Sequence, residues 1–156
     1  MIPLQLWRFL HLFFAFAFMG SLMVAEWCAR AARRSGDWKE RALLFDMVRL
    51  ASGVSGLGTL LMLGIFGNLL AAAAGYRMAT GVWLRAVNAL WIAAVVVTAA
   101  VSLPGAKRLA RMSRDAAGGS VPEGYEAALR RWRLGNLAQT LLYLALLALM
   151  VWRPQP

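Results

Sequence analysis

This chain has little from which to build a chemical centre: one histidine, one cysteine and seven acidic residues among 156. The single cysteine, Cys28, excludes a disulfide within the chain. Together with the lone histidine, His11, it also excludes the Cys/His ligand spacings of a zinc site. A haem held between two helices by two histidines would need a second imidazole, which the chain does not have. Charge is missing too. Residues 50–76, 86–106 and 134–152 hold no charged side chain, and the only acid inside a long apolar run is Glu26, within 9–28. No nucleophile–base pair, no paired carboxylates and no glycine-rich phosphate loop can be assembled from what remains. Soluble-enzyme chemistry is unsupported.

What is present is long and apolar. Hydrophobic residues make up 61% of the chain, mean hydropathy is +0.60, and charged residues are only 15%, where a soluble domain carries roughly 25%. Four apolar runs of about 20 residues can each cross ~30 Å of hydrocarbon as a helix rising ~1.5 Å per residue. Helices also satisfy their own backbone groups where lipid offers no partner. The expected architecture is all-α: one integral-membrane domain over residues 1–156, a bundle of four transmembrane helices at about 4–30, 40–74, 82–103 and 121–152. The first run has its basic residues after it and no small-x-small cleavage site, so it is expected to be a retained helix rather than a signal peptide.

Net charge is +10, and 13 of the 17 Lys and Arg fall at 30–49 and 107–133. The positive-inside rule then puts loops 31–48 and 104–132 in the cytoplasm of a bacterial inner membrane, with both termini outside. Trp7, Trp83 and Trp152 fall at the expected outer interface, and Trp27 and Trp132 at the inner one. The same charges suit anionic lipid at the cytoplasmic face, and no nucleic-acid role is needed to account for them. Asp37 with Glu40, and Ser120 with Glu123, have the spacing of capping boxes that start the second and fourth helices. Gly75 is placed to stop the second and Arg153-Pro154 the fourth. Pro104-Gly105 marks the end of the third helix or a kink in it. Lys107, Arg108, Arg111 and Arg114 then share one face of a short helix suited to resting on headgroups. Arg8…His11 echoes Arg85…Asn88, and Val48-Arg49-Leu50 echoes Trp132-Arg133-Leu134, a pattern open to two parallel-repeat hairpins.

Three groups of residues stand out as candidate sites. On the second helix Ser52, Gly56, Thr59 and Gly67 form a face of small residues, and in lipid such faces mark helix contacts. Towards the outer side, His11, Asn68 and Asn88 can share one depth. They read either as a haem or metal ligand held by amides, or as interhelical hydrogen bonds that fix register. Met19 and Met23 follow His11 at multiples of four, a spacing that also admits copper. Towards the inner side lie Glu26, Arg49, Arg133 and Gln139, with Thr98, Ser102, Asn136 and Thr140 nearby. Glu26 reads as an acid paired with Arg30, Arg49 or Arg133, or as a proton-coupling carboxylate. No acid lies at the midplane, which counts against a proton-relay transporter.

Leu10-His11, Gly20 nine residues on, and the closing Trp132-x-x-Gly135…Leu149-Met150-Val151-Trp152-Arg153-Pro154 resemble a family of small bacterial predicted integral membrane proteins of unknown function. That family's last helix typically ends in Leu-Met-Val-x-Lys-Pro; here Arg153 stands for the Lys. The family is in turn similar to the copper-resistance protein D domain and to the four-helix bacterial protoporphyrinogen oxidase. The latter likeness implies haem b at His11, although the oxidase's intramembrane lysine has no counterpart here. The leading expectation is a non-catalytic inner-membrane bundle acting by helix packing, as an accessory subunit or homo-oligomer with other membrane subunits or itself. A haem- or copper-associated protein with His11 as ligand is the alternative, and a small transporter the third.

Overall fold

The computed structural model describes residues 3–76, 81–119 and 122–152. Four helices account for nearly all of them: α1 (Leu4–Arg34), α2 (Trp38–Ala73), α3 (Val82–Ala117) and α4 (Tyr125–Val151), each long and apolar enough to cross a membrane. No strand occurs among the described residues. The helices run up and down, so the start of α1 and the end of α4 share one end and the arginine-rich ends of the helices share the other, here called the terminal and basic ends. The expected positions of Ser120 and Arg153-Pro154 lie outside the described residues.

Two helices run further than their sequence suggests. α1 continues to Arg34, and α3 passes through Pro104 to Ala117, so the third helix and the short basic helix expected after it are one element. A proline inside an α-helix lacks the N–H for its ladder bond, and its ring presses on the carbonyl four residues back. Directly before Pro104 the ladder widens into a π-helical segment, Thr98–Ser102, and α-geometry resumes at Leu103. The wider turn takes up the misfit without ending the helix. α2 has its own π-helical segment at Ala51–Leu57, where Ser52, Gly53, Ser55 and Gly56 weaken the α-helical preference. There the chain crowds Gly56 so closely that a Cβ would stand 2.6 Å from the Ala51 carbonyl oxygen. These interruptions fall in α2 and α3, which would not be equivalent helices in a parallel repeat, while α1 and α4 run as uninterrupted α-helix.

The bundle has two stacked cores. Mid-bundle, Ala15, Phe18, Leu60, Leu63, Ala94 and Tyr143 pack together. At the basic end a larger core gathers Ala29, Phe45, Val48, Leu109, Tyr125 and Trp132. Trp132 is wholly buried, against Gly105 of α3, rather than standing at a membrane interface as its sequence position suggests. The basic part of α3 likewise turns its apolar face, Leu109, Ala110 and Met112, onto α2 instead of onto headgroups. Its Lys107, Arg108, Arg111 and Arg114 remain exposed, and Arg114 reaches Asp46 of α2 at 3.2 Å. The start of α2 differs from a closed capping box. Asp37 accepts from the Lys39 amide at 2.9 Å, but Glu40 accepts from the Ser35 hydroxyl, which itself accepts from the Asp37 amide. Gly75, at φ +85°, stops α2 as expected, and Gly124, at φ +81°, precedes α4.

Candidate functional site

Near the terminal end, Asn68 of α2 and Asn88 of α3 clasp each other, each Nδ2 donating to the other's Oδ1, at 2.8 and 3.1 Å. Each also donates to the carbonyl four residues back on its own helix. His11 does not join them. Its Nδ1 donates to the Leu63 carbonyl at 3.1 Å, and its ring lies over Gly67, where a Cβ would come within 2.9 Å of Cε1. That bond fixes the tautomer and leaves Nε2 as the lone-pair nitrogen. Met19 and Met23 face elsewhere, into a cleft between α1 and α4 that His11 does not line. Among the described residues no three of His, Cys, Asp and Glu come together as a metal site.

The small-residue face of α2 is occupied by the chain's own helices. Gly56 faces Ser21 of α1 and Gly67 faces His11. Ser52 is buried, and Thr59 turns its hydroxyl to the Gly56 carbonyl of its own helix at 3.1 Å. On a neighbouring face, Gly64 admits the indole of Trp91, whose Nε1 donates to the Leu60 carbonyl at 2.8 Å. These residues therefore close the bundle rather than present a surface to a partner.

Between the two cores lies a small chamber that the sequence indicated only in part. Ser21, Ser52, Thr98, Ser102, Asn136 and Gln139 line it among apolar residues such as Phe18 and Leu22, and both π-helical segments contribute residues. Its space is about 10 Å³, the size at which one water fits. Gln139 is 1% exposed, yet neither its Oε1 nor its Nε2 has a protein partner, and Ser102 Oγ has none either. Glu26 stands beside the chamber rather than in it. It accepts from Arg30 Nε at 2.8 Å and from Asn136 Nδ2 at 3.0 Å. Arg49, grouped with Glu26 by sequence, pairs instead with Asp46 at 3.3 Å on its own helix.

The cleft itself, ≈ 1290 Å³, runs between α1 and α4 from mid-bundle to the basic end. Its walls are apolar in the middle: Met19, Leu22, Met23, Leu137 and Leu144. Its mouth is basic, with Arg30, Arg34, Arg130 and Arg133, and Glu26 and Glu40 also face it. Two contacts between α1 and α4 tie its floor: Tyr143 donates to the Ala15 carbonyl at 2.9 Å, and Asn136 donates to Glu26. Sequence reasoning placed Glu26 and Arg133 in an inner polar group and Met19 and Met23 in another group, with His11. Only helix rotation, which periodicity does not give for uniformly apolar runs, brings them to one cleft.

No curated protein and no solved structure matches this chain. A family model does, over residues 5–154, and its description is "Predicted integral membrane protein (DUF2269)". The more distant likenesses, to the copper-resistance protein D domain and to the oxidase, receive no support from that match. With nearly its whole length inside the family model and four helices able to span a bilayer, the chain belongs to the DUF2269 family of integral membrane proteins and is a multi-pass one.

Proposed function

We propose that this chain is a non-catalytic accessory protein of the bacterial inner membrane that works by binding laterally, within the bilayer, through its open α1/α4 side. In this reading the arginine-rich end of the bundle lies in the cytoplasm and both termini outside, as the distribution of Lys and Arg favours. One observation carries the proposal: the α1/α4 seam stands open as a ≈ 1290 Å³ cleft, while small residues bring the other adjacent helices into close contact. In lipid an apolar cleft is not a vacancy that water fills, so it takes whatever in the membrane matches its walls. The accessory role rests on this side of the bundle, because the small residues of α2 are already engaged. Haem or copper would have Nε2 of His11 to draw on, with Met19 and Met23 turned away, so the cleft is the better-supported binding site.

A diazirine side chain at Leu137, inside the cleft, compared with one at Val96, exposed on α3, tests this in native membranes. Leu137 is expected to give a discrete, saturable adduct and Val96 a diffuse lipid background. Identical adducts from the two positions would refute the proposal.

A further inference from the structure

The cleft has a length, a charge pattern and an open side, and together they describe an occupant. From Met19 to Arg34 its α1 wall spans sixteen residues, or about 22 Å at ~1.5 Å per residue. Half of a bilayer of ~40–45 Å, headgroups included, is the same length. The apolar part of the wall lies towards mid-bundle and the charged part at the basic end, which is the order of tail and headgroup in a single leaflet.

At the mouth, four guanidinium groups meet two carboxylates. Glu26 already accepts from Arg30 and Asn136, and Glu40 accepts from Ser35. Among the described residues, no ion pair within 4 Å engages Arg34, Arg130 or Arg133. Three arginines from two helices thus stand at the basic end of a cleft whose middle is apolar. A second copy of this chain is a poor match, because its own basic end would bring like charge to the same mouth.

We infer that the α1/α4 cleft is a binding site for one anionic phospholipid of the leaflet at the basic end. The phosphate sits among Arg34, Arg130 and Arg133, with an acyl chain along Met23 and Leu137. Guanidinium forks suit phosphate oxygens through paired hydrogen bonds, and a basic pocket between transmembrane helices is a recognised setting for an acidic headgroup. This inference rests on the cleft being a binding site, as proposed above, and adds the chemistry of the occupant.

The test uses the full chain in nanodiscs of phosphatidylcholine containing a graded fraction of phosphatidylglycerol, with retained lipid read by native mass spectrometry after release into detergent. One phosphatidylglycerol should be retained in preference to phosphatidylcholine. The preference should fall about fivefold for each arginine removed and be lost in the combined variant Arg34→Gln, Arg130→Gln, Arg133→Gln. The matched variant Lys107→Gln, Arg108→Gln, Arg111→Gln removes the same charge from the exposed face of α3 and should keep the preference. Equal retention of the two lipids by the wild type, or equal loss in both triple variants, overturns the inference. If the cleft variant fails to fold, by circular dichroism, each single arginine variant is read in its place, and an undiminished preference in all three also overturns it. A discrete Leu137 adduct without headgroup preference defeats this inference alone, whereas failure of the Leu137 probe defeats the proposed function as well.

Discussion

Replacing Gly64 by alanine is the sharpest test of how the bundle closes. Gly64 lies on α2 against the indole of Trp91 on α3, and an added Cβ would fall inside that ring's contact shell, far closer than real Cβ atoms stand. The indole cannot swing away freely, because Nε1 is held by the Leu60 carbonyl at 2.8 Å and the ring packs on the mid-bundle core. Displacing it forfeits a hydrogen bond worth ~1 kcal/mol net and strains a filled interface by ~1–3 kcal/mol. Against this, alanine gains about 1 kcal/mol of helix propensity over glycine. The balance is a net loss of about 1–3 kcal/mol. Gly20 on α1 supplies the control. A Cβ there meets nothing within 4 Å, so Gly20→Ala should keep the propensity gain and stabilise by up to about 1 kcal/mol. Unfolding of the two variants in mixed micelles, titrated with a denaturing detergent, should separate them by about 2–4 kcal/mol by the same terms. A Gly64→Ala variant as stable as Gly20→Ala would show that α2 and α3 do not meet through Trp91.

A double-mutant cycle on Asn68→Ala and Asn88→Ala should give a coupling of about 0.6–1.7 kcal/mol, the range for interhelical hydrogen bonds in membranes, and additive losses would break the clasp between α2 and α3. Gln139→Leu should hold or raise the thermal midpoint, since it removes two buried polar atoms without protein partners, each costing ~1–3 kcal/mol if unbonded. A lowered midpoint, with a loss of stability of more than about 2 kcal/mol, would show that the amide is fully bonded, through water, in the chamber.

Much of the architecture was legible in the sequence because a bilayer imposes so few solutions on an apolar run. Length set the helices, and the glycine at 75 set a boundary. Helix rotation was not legible. Residues 50–76 and 134–152 carry no charge to mark a solvent face, so nothing in them says which side meets a neighbour. For that reason His11 could be grouped with Asn68 and Asn88 by depth, although it bonds to Leu63, and Met19 could be aligned with His11 by spacing, although the two face different ways. The short basic helix was read as a headgroup-binding segment because its amphipathic pattern is the same whether its apolar face meets lipid or protein. Only the partner surface on α2, Phe45 and Val48, decides between them, and it lies some sixty residues earlier in the chain.

The glycines carry information that the hydrophobic pattern does not. In water, apolar burial would drive α1 and α4 together whatever residues faced each other. In lipid that drive is absent, and helices close only where small residues let backbones approach. Gly56 and Gly67 bring α2 onto α1; Gly53 and Gly64 bring it onto α3; Gly105 and Gly135 bring α3 and α4 together. The facing walls of α1 and α4 hold leucine, methionine and arginine instead, and the one glycine in the α1 span, Gly20, faces open space. The cleft therefore follows from where small residues were placed and where they were withheld. A seam left open in this way stays open without strain, since closing it would exchange lipid contacts for poorer ones between bulky side chains. That is the property a lateral binding site in a membrane requires.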